Sequence, residues 1–139
     1  MAPRVGVVLT VWESVASWAP SDPATILTAP LSRLASKELD LDQISEDVAR
    51  ELMQRGVELA TDAGFHAEGR IEKGRPWQMI RKVADELDAK PIVLGARGLG
   101  RVESMLLGSV SIAVVFHAQR PVLVVPHHQG DQPPAATGQ

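Results

Sequence analysis

The sequence predicts an α/β domain: a parallel sheet with helices on both faces and four recognisable strands. Two observations carry this. The apolar segments Arg4–Trp12, 91–94 and 121–126 run without strict alternation, as strands covered on both faces do. Stretches of helical period separate the later strands, so the second half reads strand, helix, strand, helix, strand. That order in one chain means parallel pairing with helical crossovers.

The elements follow in turn. RVGVVLTVW, Arg4–Trp12, is β-branched and is expected as a buried strand. Residues 14–40 form a long connection punctuated by Pro and Ser, within which 24–37 can make a short helix. From Asp42 the period becomes helical. Ile44, Val48, Leu52, Leu59, Ala60 and Ala63 share one face, expected to be buried, with Asp42 as the cap and Gly64 as the stop. Residues 65–71 alternate weakly, as a strand, and Glu72-Lys73-Gly74-Arg75 is the turn after it. Pro76 suits a first helical position, and Trp77, Ile80, Val83, Ala84 and Leu87 make the buried stripe that follows. Residues 91–94 are a short strand, 105–118 a largely buried helix and 121–126 the last strand. The expected domain is 1–128, and 129–139, rich in Pro, Gly, Gln and Ala, is an expected disordered tail.

Composition narrows the function classes. A chain of 139 residues suits one domain with its own core. There is no Cys, which excludes disulfide and thiolate chemistry. The four His form no H-x-x-x-H or H-E-x-x-H array, so no metal site is expected. The net charge of -3, with acids and bases interleaved, makes no basic stripe for nucleic acid. Two Phe and three Trp are too scattered for a base-stacking platform. No apolar run approaches the roughly 18 residues of a membrane span, and no signal-peptide pattern opens the chain. A cytoplasmic protein is the expectation.

The chemistry-bearing stretch is PIVLGARGLGRVESMLLGSVS, from Pro91 to Ser111. In open parallel sheets, ligands lie beyond the carboxyl ends of the strands. Gly95 ends a strand there, and Ala96-Arg97-Gly98-Leu99-Gly100 is the turn over that edge. Glycine lets a ligand approach the main chain, and successive free N–H groups make an anion-binding concavity. Gly108-Ser109 opens the next helix, where N–H groups, helix dipole and hydroxyl can converge on phosphate. The motif G-x-x-x-x-G-K-[ST] is absent because no Lys follows these glycines. G-x-G-x-x-G fails because Glu103 stands where its third glycine belongs.

The spacing that holds is G-x2-G-x9-G-S, at Gly95, Gly98, Gly108 and Ser109. With the flanking VLGARG, LLGSVS and HAQRPVLVVP, and with EKGRPW upstream, it resembles the ATP-binding signature of universal stress proteins over roughly 44–126. The resemblance implies a Rossmann-like fold of the adenine nucleotide alpha hydrolase-like type that often dimerises. It implies ATP or AMP as ligand, with Mg2+ admissible beside ATP, and weak turnover at most. Carried over position by position, the cofactor-binding residues are Val11, Leu94, Gly95, Arg97, Gly98, Gly108, Ser109, Val110 and Ser111.

Plainer readings stand beside these. The glycines can form an ordinary tight turn, and Arg97 can steer phosphate or face solvent. Ser109 can be a helix cap, and Ser111 a small residue at a helix–sheet contact. His117 suits the carbonyls of a helix end. Trp12 and Trp77 suit a core or an interface. Glu13, Glu103 and the pair Asp85-Glu86 are not spaced as a catalytic carboxylate pair, and no nucleophile has a positioned base. Three functions follow: a nucleotide-binding stress or signalling module, an interaction or dimerisation module of the same fold, and a slow ATPase. The last lacks a P-loop Lys, an evident metal carboxylate and a general base.

The family's domain has five strands, and its first ends in an Asp that helps hold adenosine. Here VLTVWES resembles the family's second strand, and no Asp occurs before Asp22. The expectation is that an opening strand–helix unit of about 40 residues is absent, by the usual size of such a step. In the family that strand lies between those matching Arg4–Trp12 and 91–94. Its absence leaves two inner edges in need of partners. The phosphate half of the site is then retained and much of the adenosine half lacking, so that ATP binds weakly and with little preference over GTP. The last strand, by the same resemblance, lies at a sheet edge, and a homodimer through Val122–Val125 is expected.

Overall fold

Four strands and three α-helices follow one another in the computed structural model, which describes residues 2–18, 31–96 and 107–126. β1 (Arg4–Trp12) leads through a 3-10 turn at Val15–Trp18 and then α1 (Leu31–Asp62) to β2 (Phe65–Lys73). α2 (Pro76–Glu86), β3 (Ile92–Gly95), α3 (Ser109–His117) and β4 (Val122–Val125) complete the order. The chain divides into two compact units, Met1–Ile80 and Arg81–Gln139, and α2 begins in one and ends in the other.

In the first unit β1 and β2 pair in parallel, with Arg4 opposite Phe65 and Trp12 opposite Lys73. α1 packs on this pair through small residues. A Cβ on Gly56 would stand 2.6 Å from Val8 Cγ1, and one on Gly69 would collide with the Met53 sulfur. Glycine at these two points brings helix and sheet closer than any side chain would allow. Gly64, at φ 88°, ends α1 where sequence places the stop.

Three expectations fail here. β1 is a strand but not a buried one, since Val5 is 72% exposed. The face of α1 expected inside is outside, with Ile44 at 58% and Leu59 at 70% exposure. The buried face carries Ala49, with Met53, Gly56, Val57 and Ala60 half-buried beside it. Asp42 also caps nothing: it lies well inside α1, which begins at Leu31. The possible helix at 24–37 falls partly outside the described residues.

In the second unit β3 and β4 pair in parallel, Ile92 with Val122 through Gly95 with Val125. Val83, Ala84, Ile92, Ala96 and Val114 are its buried apolar side chains among the described residues. Pro76 does open α2, but Leu87 lies past the helix end and is exposed. α3 starts at Ser109, and the beginning of the helix expected from 105 lies outside the described residues. Among the described residues each strand has one neighbour only, in the orders β1-β2 and β3-β4. Each of the four strands thus keeps one edge without a described partner. The expected tail at 129–139 lies outside the described residues.

Candidate functional site

The polar ties of the second unit converge where β3 ends and α3 begins. The Ala96 N–H donates to Val125 O at 2.8 Å, extending the ladder one residue past β3. The Ala96 carbonyl in turn accepts from the Gly108 N–H at 2.7 Å. The Ser111 hydroxyl donates to Gly95 O at 2.8 Å. These bonds hold the start of α3 against the carboxyl end of β3, whatever path the intervening residues take.

At that junction Gly108 is the residue preceding the helix, with φ -68° and ψ 157° and no side chain to cap it. This is extended backbone open to any residue. What glycine supplies here is therefore absence of bulk, not positive φ. The first N–H groups of a helix have no partner within it, and the dipole makes that end positive. The Ile112 N–H is the first to be taken up, by Gly108 O at 3.0 Å. Ser109 and Val110 are exposed, and α3 has no acidic residue in its first turn to repel an anion. The arrangement can accept negatively charged oxygens on main-chain N–H groups.

The expected residues divide as follows. Leu94, Gly95, Gly108, Ser109, Val110 and Ser111 are brought together in the second unit. Ser111 is only 6% exposed, and its hydroxyl hydrogen is committed to Gly95, so it serves as a tie between helix and strand. Arg97 and Gly98, with Gly100, lie outside the described residues. Val11 belongs to the first unit, half-buried opposite Glu72 near the carboxyl end of β1.

Beside Val11 the ends of β1 and β2 are closed by a polar cluster that sequence reasoning missed. Asp42 Oδ2 accepts from the Ser14 hydroxyl at 2.6 Å and from Lys73 Nζ at 3.1 Å. The Lys73 ammonium stands 4.7 Å from the centre of the Trp12 ring, within range of a cation–π contact. The Gly74 N–H donates to Trp12 O at 2.9 Å. Lys73 was expected in a turn; it is the last residue of β2, and that places it here. No local pattern links residues 14, 42 and 73.

Arg120 is the second missed residue. Its guanidinium, 11% exposed, donates to Ala89 O at 2.6 Å and to Asp85 Oδ1 at 2.7 Å, fixing the connection between α2 and β3. A shallow, open cavity of about 530 Å³, lined by Pro3, Val5, Thr61, Phe65, His66, Ala67 and Glu68, lies at the amino ends of β1 and β2. Ligands of parallel sheets bind at the opposite end, so it is not the favoured site. Among the described residues no three His, Asp or Glu side chains gather as a metal site, and no helix is long and apolar enough to cross a membrane.

Comparison with known proteins agrees with this architecture. The sequence profile described as the universal stress protein family matches residues 6–126. A universal stress protein of Synechocystis sp. is 40% identical over 79 residues, covering 57% of this chain and 51% of that protein. A Staphylococcus aureus protein bearing a universal stress protein name is 43% identical over 83 residues, covering 58% of this chain and 50% of that one. The matches thus span about half the length of these relatives. Among solved structures, a hypothetical protein studied as a structural-genomics test case superposes with a TM-score of 0.68 at 22% identity, covering 92% of this chain and 79% of that one. A universal stress protein from Lactobacillus plantarum gives 0.62 at 22% identity, covering 86% and 75%. A universal stress protein in complex with cAMP gives 0.50 at 21% identity, covering 90% and 98%. The fold is Rossmann-like.

Proposed function

Because the chain belongs to the universal stress protein family, we propose that it is a cytoplasmic stress-response or signalling module that holds ATP or AMP. The phosphates lie at the junction of β3 and α3. The observation that carries this reading is the Gly108–Ala96 bond, which presents the uncapped start of α3 at the carboxyl end of a parallel strand. Ser109 and Val110 offer main-chain N–H groups, Gly108 before them adds no side-chain bulk, Gly95 leaves the strand end uncrowded, and Arg97 and Gly98 are assigned to the phosphate side by the family's signature. Leu94 backs that cradle, and Ser111 holds it in shape. The structure of a relative in complex with cAMP supports an adenine nucleotide as the ligand class. Mg2+, where ATP brings it, would be held by the phosphates. A homodimer through Val122–Val125 belongs to the same reading, since β4 has β3 alone as a described neighbour.

Calorimetric titration tests the reading. ATP should give a saturable heat with the wild-type chain, with little preference over GTP. Gly108→Val should weaken ATP at least about tenfold while circular dichroism stays unchanged, because its backbone suits a β-branched residue and only the approach of phosphate is blocked. Equal affinity in both proteins would remove the α3 start from the site.

A further inference from the structure

Three glycines of the first unit sit in tight contacts, and two of them face sulfur. A Cβ on Gly69 would collide with the Met53 sulfur and stand 3.1 Å from Met53 Cγ and Cε. One on Gly74 would stand 3.0 Å from Met79 Cγ and 3.2 Å from its Sδ. The third, Gly56, meets only the aliphatic Val8. The chain has four Met and no Cys, so Met53 and Met79 carry the sulfur of the described residues. Both contacts lie inside Met1–Ile80 and depend on no other part of the chain.

Met53 is the more confined of the two. It meets Gly69 of β2 from the inner face of α1, which it shares with Ala49, Gly56, Val57 and Ala60. None of these offers a side-chain hydrogen-bond donor. A thioether suits the place because it is apolar, flexible and polarizable. A sulfoxide does not, since it is polar, chiral and larger by one oxygen. That oxygen needs both room and a donor, and a buried acceptor without a donor destabilises the packing around it. Met53 is half-buried and Gly69 exposed, so solvent reaches the contact and a small oxidant can follow.

We propose that Met53 is an oxidant-sensitive catch, released when a peroxide converts its thioether to the sulfoxide. With hydrogen peroxide, the sulfur lone pair takes one oxygen, the O–O bond breaks and the other oxygen leaves as water. Sulfur is oxidised by two electrons and the peroxide is reduced by two. α1 then loses its hold on β2. The second unit has no Met among its described residues and secures the β3–α3 junction by polar ties, so it keeps its structure. The response belongs to the first unit and does not depend on whether α3 receives a nucleotide.

Amide hydrogen exchange before and after hydrogen peroxide, with peptide mapping of the sulfoxide, tests this. Oxidation at Met53 should speed exchange in 49–60 and in β2 at least about tenfold. The amides of Ala96, Gly108 and Ile112 should not change. Methionine sulfoxide reductases acting on both epimers should restore slow exchange. Met53→Leu, the nearest replacement without sulfur, should keep its protection under the same treatment, whereas Met79→Leu should still respond. Three results overturn the proposal: a Met53 that peroxide leaves unoxidised, oxidation there without faster exchange in α1 and β2, or equal acceleration in Met53→Leu. Acceleration that reaches Ala96, Gly108 and Ile112 equally also overturns it, because the oxidised chain then simply unfolds. If Met53→Leu fails to fold, wild type decides: exchange that stays fast once the sulfur is reduced again contradicts a reversible catch.

Discussion

The two units solve the same problem, a parallel strand pair under helices, with opposite means. The first has nine-residue strands and closes its helix–sheet contact by removing side chains, at Gly56 and Gly69. It still leaves an apolar flank open. The second has four-residue strands and is held by polar ties: Ala96 to Val125, Gly108 to Ala96, Ser111 to Gly95 and Arg120 to Ala89. The contrast separates two roles of glycine. In the first unit it permits packing, and at Gly108 it leaves the helix start without a side-chain cap.

If the second unit depends on its polar ties, cutting one should cost more than disturbing the apolar contact of the first. Arg120→Met keeps the stem and loses the head. It leaves Ala89 O without its donor, and the expected loss is about 2–3 kcal/mol in a denaturant melt. The pairing to Asp85 adds little to that figure, since that carboxylate is half exposed. A loss below about 0.5 kcal/mol would break the comparison from this side.

Gly56→Ala sharpens it from the other. Alanine favours a helix by about 1 kcal/mol over glycine, while crowding Val8 costs about 1–3 kcal/mol, so the net expectation is a loss of about 1 kcal/mol. Combined with Val8→Ala, which makes room, the same change should become stabilising relative to Val8→Ala alone. Denaturant melts check both. A loss that persists undiminished in the Val8→Ala background would show that Gly56 is needed for something other than clearance.

The sequence made much of this legible where signals are local. Continuous apolar runs marked three of the four strands and weak alternation the fourth, Gly64 and Pro76 marked helix ends correctly, and the glycine spacing pointed to the stretch that joins β3 to α3. What it misjudged was coverage. Ile44, Val48, Leu52 and Leu59 do share a face, but periodicity reports only that a face exists, not that a neighbour is present to bury it. The face that packs on the strands carries Ala49 and Gly56, small residues whose value lies in close approach and which a hydrophobic pattern weighs lightly. The ties of Asp42, Lys73 and Arg120 escape the sequence for a related reason: their partners are 28 to 35 positions away.

Amide hydrogen exchange read residue by residue, with and without saturating ATP, tests the central assignment most directly. Slowing is expected at Ser109 and Val110, whose main-chain N–H groups would meet the phosphates, whereas the Gly108 N–H is already bonded to Ala96 O. The amino ends of β1 and β2 around Val5 and His66 should be unaffected. ATP that binds yet leaves 109–110 unchanged, or that slows exchange around the cavity at Pro3, Phe65 and His66 instead, would contradict it.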